Sequence, residues 1–420
     1  IEVRTTHLNK IFPIQETSDP TAVDPERVKP SRSNEKVLLK TIAFPINPSD
    51  KNQIDGVYGT YNVKVLTGRN YKPFSVAGNE GLYQIEAFIG ADGKVVENFE
   101  HPTCKVGDMV IPRVGNSGTW CDYKVIKASR LGNDAFKDYV KLESGVDLSP
   151  EGTRGFGILE AATAAVNGCT AMAFSQLFQT NVNEKLKLTS KTKYNKPKSF
   201  YCFVNAGNSQ VSKLFSQIVH SDYSYKNYKE KIGDRLKTIS IVRERETPEA
   251  TASFIEKLKQ ETKTDMVITE TDNQDKEKSK IFVNDFEGKG VDFLMAINSV
   301  GGASVSGIVK KLSPDSSIYT YGAMSLKGIA ASTSSFIFKN VSYLGFWITG
   351  IFKKQPGLKL SYFKDLAKLY DSKQLKLYAD DYHVIEWKPK HDFPEELLKK
   401  IHDGIQLKGK KPIVYVNHED

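Results

Sequence analysis

The sequence is poor in cysteine and has no long apolar run. Only four of its 420 residues are cysteines, none is in a Cys-x-x-Cys pair, and none is regularly spaced from the seven histidines. This pattern argues against a disulfide framework or a structural zinc site and favours a reducing compartment. The longest apolar stretches, 299–308 and 342–352, contain glycine or polar residues. Because they are too short to span a bilayer, we expect a soluble protein that does not enter a membrane.

Basic residues outnumber acidic ones, 59 against 50, which gives a net charge of +9. Much of the excess lies in two runs, 185–198 and 408–411. A solvated basic surface would explain these runs, and so would attraction to an acidic protein, a phosphate-bearing substrate or RNA. Neither run contains the dense aromatic residues that base stacking favours.

The length of the chain predicts two domains, because one domain usually contains about 100–200 residues. The sequence starts at Ile1 rather than at methionine. A cleaved presequence would explain this start and, together with reduced cysteines and basic charge, would suit a protein of the mitochondrial matrix. A remnant of expression would look the same.

The hydrophobic pattern changes along the chain. Residues 1–35 are irregular, contain four prolines and predict an N-terminal arm. Four strand-like stretches then predict a small β-barrel-like domain: 37–44, 82–88, 105–112 and 118–126. From the helical stretch 158–178 onwards, strands and helices alternate as in a doubly wound parallel sheet. The later predicted strands are 265–269, 290–298, 317–321 and 412–416.

The stretch 201–218 is the most informative part of the sequence. An apolar run ends at Asn205-Ala206-Gly207, and apolar residues then recur with helical spacing. Strand, tight turn and helix in this order are typical of the first unit of a dinucleotide fold, where backbone N–H groups bind a pyrophosphate. Gly207 is the only glycine of the motif, and Ser212 stands where a further glycine is usual. A strand–turn–helix unit whose small residues serve packing alone is therefore the alternative.

The next predicted strand, 238–242, ends at Arg243-Glu244-Arg245. Enzymes selective for NAD usually place an acid here to bind the ribose 2′-hydroxyl, whereas an arginine can bind a 2′-phosphate. Because two arginines flank the acid, the sequence favours NADPH. Arginines at the end of a strand can also be no more than a charged edge.

Nine short segments resemble the mitochondrial 2-enoyl thioester reductases, particularly the fungal ones, of the medium-chain dehydrogenase/reductase superfamily. They are 43–50, 56–58, 77–81, 110–112, 118–120, 166–170, 298–302, 320–325 and 345–349. The resemblance implies an α/β fold with a GroES-like β-barrel catalytic domain and a doubly wound Rossmann cofactor domain. The implied limits are 36–165 and 350–420 for the catalytic domain and 166–349 for the cofactor domain.

The resemblance also implies a site without metal. The superfamily's zinc-dependent alcohol dehydrogenases carry a histidine ligand at the position of Asn79, and no cysteine lies near 47–50. Without thiolate or imidazole ligands, a catalytic zinc would have nothing to hold it.

The activity implied by the resemblance is NADPH-dependent reduction of a trans-2-enoyl thioester in mitochondrial fatty acid synthesis. The substrate would be carried on acyl carrier protein or coenzyme A. Hydride would add to the β-carbon and a proton to the α-carbon. Tyr58 matches the family's proton-donating tyrosine, a role that a neutral phenol can fill. Without the motif, a packing residue would be the better interpretation, since the chain has 19 tyrosines.

The resemblance further assigns residues to the cofactor. Asn167 would lie near the nicotinamide, the turn after the strand would surround the pyrophosphate, and Lys411 would be a C-terminal lysine that closes on the site. The full set is Asn167, Asn208, Ser209, Gln210, Val211, Arg243, Glu244, Arg245, Tyr321, Gly322, Ala323, Met324, Phe346, Trp347, Ile348 and Lys411. The family also suggests a homodimer.

Departures from the family leave two other interpretations open. Gly59-Thr60-Tyr61 follows Tyr58 where the family commonly has a proline, Ala323 replaces a glycine, and 146–154 and 186–198 look like additions. One alternative is a catalytically retired homologue that serves as a structural or RNA-associated subunit of a mitochondrial assembly such as the mitoribosome. A quinone reductase on the same scaffold is the other.

Overall fold

The described part of the chain forms two compact units. The computed structural model describes residues 35–56, 76–133, 137–142, 146–147, 156–190, 197–226, 235–392, 394–407 and 409–419. The first unit comprises the chain up to Val166 together with Ile351–Asp371 and Leu377–Asp420. The second comprises Asn167–Gly350 and Ser372–Lys376. The predicted N-terminal arm therefore lies outside the described residues, except for its last residue.

The first unit is built mainly from strands. Its strands are β1 (Lys36–Pro45), β2 (Leu82–Ile89), β3 (Met109–Pro112), β4 (Tyr123–Lys127), β5 (Tyr139–Lys141), β6 (Val146–Asp147), β7 (Phe156–Gly157), β14 (Tyr382–Trp387) and β15 (Lys411–Val416). Its helices are α1 (Pro48–Ile54), α2 (Ile158–Thr163), α12 (Leu358–Asp371) and α13 (Pro394–Gln406).

The second unit alternates strands and helices. Its strands are β8 (Ser199–Val204), β9 (Leu236–Val242), β10 (Met266–Thr269), β11 (Val291–Asn298), β12 (Ser317–Thr320) and β13 (Ser342–Gly345). Its helices are α3 (Cys169–Ser190), α4 (Gln210–Val219), α5 (Asp222–Lys226), α6 (Pro248–Thr262), α7 (Glu270–Gln274), α8 (Lys276–Asp285), α9 (Gly302–Lys311), α10 (Thr333–Ile337) and the start of α11 (Ile348–Lys354). A π-helical turn, Ala164–Gly168, joins α2 to α3.

Strand β1 is the centre of the seven-stranded sheet in the first unit, whose order is β14-β15-β1-β2-β3-β5 with β4 also paired to β1. It runs antiparallel to β2, β4 and β15. Two apolar clusters pack against the sheet, one around Val37, Tyr83 and Val110 and the other around Trp120 and Trp387. The C-terminal strand β15 thereby returns the end of the chain to the N-terminal sheet.

The six strands of the second unit are parallel and follow the order β10-β9-β8-β11-β12-β13. Relative to chain order this is the 3-2-1-4-5-6 arrangement of a dinucleotide-binding sheet, in which ligands bind where the order reverses, here between β8 and β11. Phe203, Ile239, Ile241, Phe293 and Ile318 form the middle of its apolar core. The predicted α/β class with a doubly wound sheet is confirmed.

Most predicted strands are present with boundaries shifted by a few residues. The short strands β5, β6 and β7 were not predicted, nor were β13 and β14. In β14 the buried residues alternate only in part with exposed ones, and three of the four residues of β13 are exposed. An exposed strand lacks the apolar alternation that identifies strands in a sequence.

Candidate active site

The turn after β8 lies at the point where the strand order reverses. Gly207 N–H donates to the Ile241 carbonyl at 2.8 Å. A Cβ on Gly207 would lie 2.6 Å from Ser240 Cβ and 3.2 Å from Ile241 N, so only glycine fits this close approach to β9. Ala206 before it has a φ of 47°, which is the left-handed region. The turn is therefore tightly held against the neighbouring strand.

Helix α4 begins at the end of this turn. The Ser209 hydroxyl is its N-cap and accepts a hydrogen bond from Ser212 N–H. Asn208, Ser209 and Gln210 are half-buried, whereas Val211 is buried in the core. A capped helix N-terminus behind a tight turn presents backbone N–H groups and positive dipole to an anion, which fits the predicted pyrophosphate site.

Asn205, the first residue after β8, crosslinks the turn to the end of β11. Its Oδ1 accepts from Ser299 N–H at 2.8 Å, and its Nδ2 donates to Asn298 Oδ1 at 2.8 Å and to Ser304 Oγ at 3.1 Å. Asn298 Oδ1 also accepts from Gly301 N–H at 3.0 Å. These buried amides fix both loops at the reversal point, because breaking any bond would leave polar groups unpaired.

The Tyr321 hydroxyl connects the two loops further. It lies close enough to the side chains of Ser299, Ser209 and Ser212 for these hydroxyls to lower the pKa of the phenol. Burial has the larger effect and raises the pKa of Tyr321 overall, so the phenol is neutral near pH 7. The structure thus brings together predicted site residues from α4 and from the end of β12.

The ring of Tyr321 lies against further predicted residues. It contacts the Phe174 ring edge-on at a centroid distance of 5.2 Å, and Phe174 in turn packs on Phe346 at 4.2 Å. Phe346 and Ile348 are buried, whereas Trp347 between them is 43% exposed. The Phe346-Trp347-Ile348 segment therefore places one side chain outward between two core residues.

The loop after β12 is fixed by its backbone. Tyr321 N–H donates to Asn298 O at 3.0 Å and Met324 N–H to Ser299 O at 2.8 Å. Gly322 is half-buried, whereas Ala323 and Met324 are exposed. The methyl group of Ala323 is accordingly directed away from the packed core of this unit.

Glu244, the second residue after β9, is held by the first turn of α7. Thr271 N–H donates to its Oε1 at 3.1 Å. Partial burial alone would raise its pKa, but hydrogen bonds with the side chains of Thr269 and Thr271 lower the pKa of Glu244 to about 2. The carboxylate is therefore already engaged with protein donors.

The two arginines beside it lie at the exposed end of β9. The Arg245 guanidinium stacks 3.5 Å above the Phe254 ring, and its Nη1 donates to the Arg243 carbonyl at 2.8 Å. Burial and the neighbouring charge of Arg243 lower the pKa of Arg245. Neither guanidinium has a carboxylate within 4 Å among the described residues. Two adjacent cations of this kind suit a phosphate.

A buried polar cluster lies in the first unit, formed by Asn47, Asp50, Asn79, Glu80 and Lys411. Asn47 Nδ2 donates to Glu80 Oε1 at 2.8 Å, and Lys411 Nζ donates to Asn47 Oδ1 at 2.5 Å. Asp50 accepts from Asn47 N–H at 2.7 Å and from Asn79 Nδ2 at 2.6 Å. We call these five residues the acid–lysine cluster.

Burial dominates the ionisation of the acid–lysine cluster. It raises the pKa of Asp50 to about 6 and that of Glu80 to about 7, although Lys411 and the amide donors favour the charged carboxylates. It lowers the pKa of Lys411 to about 8, against the attraction of the two acids. All three groups therefore titrate closer to neutrality than they do in water.

The remaining predicted residues are placed as follows. Asn167 is half-buried in the π-helical turn between α2 and α3. Tyr58 lies outside the described residues, as does the Gly59-Thr60-Tyr61 segment after it. At the position of the zinc enzymes' histidine, the Asn79 amide bonds to Asp50. Within the described ranges, no group of three or more histidine, cysteine or acidic residues could hold a metal ion.

Two other features bear on the expected class of protein. No disulfide joins the four cysteines, all of which are buried and lie in described residues. In the part of the chain with described structure, every helix is too short or too polar to cross a membrane.

The sequence did not single out Asp50 or Glu80 as functional residues, nor Asn205 and Asn298 as a crosslinked pair. Glu80 is bonded to residues 33 and 86 positions away, and Asn205 to a residue 93 positions away. The one available signal was local, because polar residues interrupt otherwise apolar segments at 47–50 and 79–80.

No protein-family model matches the chain, but individual relatives do. It is 36% identical to the mitochondrial enoyl-acyl-carrier-protein reductase of Kluyveromyces lactis, over 92% of this chain and 87% of that protein. It is 34% identical to a protein of Kluyveromyces marxianus named NADPH quinone oxidoreductase, over 90% of this chain and 85% of the relative.

Solved structures agree with these relatives. The Etr1p complex with NADP and crotonyl-CoA is 28% identical, with a TM-score of 0.67 over 94% of this chain and 93% of that one. The Etr1p/Etr2p heterodimer of mitochondrial 2-enoyl thioester reductase from Candida tropicalis is 27% identical, with a TM-score of 0.68 and the same coverage.

Proposed function

Because the chain belongs to the family of fungal mitochondrial enoyl-acyl-carrier-protein reductases, we propose that it reduces trans-2-enoyl thioesters with NADPH. The chain is an NADPH-dependent oxidoreductase of the medium-chain dehydrogenase/reductase superfamily. We assign catalysis to residues 36–165 and 350–420 and cofactor binding to 166–349. The observation that carries the proposal is the glycine turn of the second unit together with the two arginines at the end of the next strand, which form no ion pair with the described acidic residues.

The second unit fits the cofactor in two respects. Gly207 lets the turn pack closely on β9, because a Cβ there would lie 2.6 Å from Ser240 Cβ, and the turn leads directly into the N-terminus of α4, where a pyrophosphate would bind. Arg243 and Arg245 supply positive charge where a 2′-phosphate would lie, while Glu244 is turned to α7. Ser209, Gln210, Tyr321 and the 346–348 segment would complete the contacts. When bound, NADPH supplies the hydride that adds to the β-carbon of the enoyl thioester.

The chain's own chemical contribution is a proton. As the β-carbon accepts hydride, negative charge moves through the α-carbon to the thioester oxygen. The Tyr58 phenol would give its proton to the α-carbon and regain one from solvent, which completes the saturated acyl thioester. A neutral phenol suits this step because it is a hydrogen-bond donor with a pKa of about 10.

The substrate is an enoyl group on acyl carrier protein or coenzyme A, as for the relatives named above. We place the reaction in mitochondrial fatty acid synthesis and the protein in the mitochondrial matrix, since its relatives are named as mitochondrial enzymes. The basic charge of the chain would suit an acidic carrier protein or the phosphates of coenzyme A.

We also propose a homodimer. Strand β13 is the edge of the parallel sheet, and its outer side pairs with no strand in the described part of the chain. Large apolar side chains are exposed in β13 and in the segments that flank it in the chain, namely Ile337, Phe338, Leu344 and Trp347. An apolar sheet edge of this kind is self-complementary around a two-fold axis and favours pairing with a second copy.

Reduction of quinones is a second candidate activity, favoured by the name of the Kluyveromyces marxianus relative. It would use the same cofactor site but would not need a proton donor at the α-carbon of a thioester. The retired-homologue alternative has less support, because the relatives described above are named as reductases or as an oxidoreductase.

The test is turnover by the purified chain. Wild type with NADPH and crotonyl-CoA is expected to consume NADPH and form butyryl-CoA. Tyr58→Phe should lower kcat on the order of 10²- to 10⁴-fold, the usual contribution of a general acid, while NADPH affinity is kept. Turnover of a quinone but not of crotonyl-CoA would replace the proposal by the second candidate. No turnover of either substrate, without NADPH binding, would favour the retired homologue.

A further inference from the structure

Glu80 is the most deeply enclosed acid of the acid–lysine cluster, with 0% of its surface exposed. Both carboxylate oxygens accept hydrogen bonds, Oε1 from Asn47 Nδ2 at 2.8 Å and Oε2 from Val166 N–H at 2.7 Å. Its own carbonyl accepts from Thr119 Oγ1 at 2.8 Å. The side chain therefore joins the start of α1 to the π-helical turn, two segments far apart in the chain.

The bond to Val166 falls within the π-helical turn Ala164–Gly168. Such turns are rare, occur frequently at functional sites and arise where another group enters the hydrogen-bond ladder of a helix. The Glu80 carboxylate is such a group. The next residue in the chain is Asn167, which is one of the proposed cofactor contacts, so the position of its backbone depends on this bond.

The bond to Asn47 leads to a second proposed contact. Asn47 uses its Nδ2 for Glu80 and its Oδ1 for Lys411 Nζ, which lies 2.5 Å away. A lysine ammonium has three protons, and the bond to Asn47 uses one of them. The charges of Glu80 and Asp50 also attract Lys411. One buried acid thus reaches both Asn167 and Lys411 through a single intervening residue on each side.

We propose that Glu80 is a positioning residue for NADPH, which fixes Asn167 through the backbone of Val166 and Lys411 through the amide of Asn47. Glu80 would not touch the cofactor. This inference rests on the proposed function, since it requires that the chain bind NADPH.

The test is the dissociation constant for NADPH, measured by fluorescence titration on the full chain. Glu80→Gln keeps the shape of the side chain, but its amide must direct N–H toward one of the two donors. We expect a dissociation constant on the order of tenfold higher than in wild type. Glu86→Gln is the matched control, because this half-exposed residue of β2 pairs only loosely with Lys40 at 3.8 Å. Its affinity should equal that of wild type.

A double-mutant cycle with Asn167→Ala separates positioning from general damage. If Glu80 acts through Asn167, the two substitutions together should weaken binding by less than the product of their separate effects. If Glu80→Gln does not fold, Asn47→Ser takes its place, since serine keeps a good N-cap for α1 but is too short to reach Glu80 and Lys411. Loss of affinity is expected there too.

The outcomes separate the two proposals. Wild-type binding with unchanged affinity in a folded Glu80→Gln or Asn47→Ser variant overturns the role of Glu80 and leaves the proposed function in place. The role of Glu80 is also overturned if the effects of Glu80→Gln and Asn167→Ala on the dissociation constant simply multiply in the double mutant. A folded wild-type chain that does not bind NADPH removes the proposed function and this inference together.

Discussion

In the proposed cofactor site, the three consecutive side chains after β9 would set the preference for NADPH. An acid directed to the ribose would repel a 2′-phosphate, but Glu244 is bonded to the first turn of α7 and its pKa is lowered to about 2. It stays ionised at any physiological pH and remains attached to those donors. Arg243 and Arg245 are left as adjacent cations, with Arg245 held flat on Phe254. The geometry thus separates the acid from the arginines that flank it in sequence.

Arg243→Ala should therefore weaken NADPH selectively. A charge-assisted bond to phosphate contributes roughly 1.5–3 kcal/mol, which predicts a 10- to 100-fold rise in the KM for NADPH. The KM for NADH should be unchanged, because NADH lacks the 2′-phosphate. Arg130→Ala, which removes an exposed arginine of the first unit that pairs with Asp138, serves as control. An equal rise in the KM for NADPH and in the KM for NADH would show that Arg243 has only a structural role.

The acid–lysine cluster predicts an unusual dependence of stability on pH. Burial raises the pKa of Asp50 from its usual 3.8 to about 6 and that of Glu80 from its usual 4.5 to about 7. Between pH 4 and 7 the folded chain therefore binds more protons than the unfolded chain, and the free energy of unfolding should fall as pH rises. Above pH 8 the lowered pKa of Lys411 reverses the sign, and stability should recover toward pH 10.

Urea unfolding of wild type and Glu80→Gln across this range measures the effect. The wild-type free energy of unfolding should fall by a few kcal/mol more than that of the variant between pH 4 and 7. Parallel curves for the two proteins would mean that Glu80 is ionised throughout and would refute the raised pKa.

At the level of elements, the packing of the turn after β8 on β9 determines where α4 begins. Gly207 in this turn has no side chain, and its N–H donates a hydrogen bond to the Ile241 carbonyl. The N-cap at Ser209 and the buried amide of Asn205 hold its two ends. The helix N-terminus is thus directed by strand packing as well as by its own sequence.

Gly207→Ala should displace this turn. The added Cβ would lie 2.6 Å from Ser240 Cβ, and neither strand backbone can move freely. Overpacking of this kind typically costs about 1–3 kcal/mol, so we expect a lower melting temperature and weaker NADPH binding. Gly328→Ala is the control, because no atom lies within 4 Å of its added Cβ. Wild-type stability and affinity in Gly207→Ala would show that the turn has room to adjust.

The local pattern of apolar residues was sufficient to predict the helices and strands that bury one face. The strand–turn–helix from β8 to α4 was predicted closely, because apolar residues identify the strand and recur with helical spacing after Gly207. Strand β13 was missed because it lies exposed at the edge of the sheet. The Glu80 bonds could not be predicted, since a hydrogen bond across 86 residues depends on tertiary packing and leaves no local pattern.

At the scale of the whole molecule, the edge of the parallel sheet in the second unit carries exposed apolar side chains. Phe338 is 79% and Ile337 66% exposed, directly before the edge strand β13. Leaving such groups in water is unfavourable by roughly 25 cal/mol for each Å² of apolar surface. Covering them with a second copy would remove that cost, as the proposed homodimer does.

Phe338→Asp should therefore convert the protein to a monomer. Light scattering after gel filtration would show the dimeric mass for wild type and half of it for the variant. Val95→Asp is the control, because Val95 is also exposed, at 64%, but lies in the first unit. A wild-type chain that is monomeric at all concentrations would contradict the homodimer.

The central claim is that hydride passes from NADPH to the β-carbon of an enoyl thioester and that the proton comes from the protein side. The most direct measurement uses NADPH deuterated at the transferred position, crotonyl-CoA and the purified chain, with the label located by NMR. We predict one deuterium at the β-carbon of butyryl-CoA and, with ordinary NADPH in heavy water, one at the α-carbon. Butyryl-CoA without label at the β-carbon, or no butyryl-CoA from a folded chain that binds NADPH, would contradict the account.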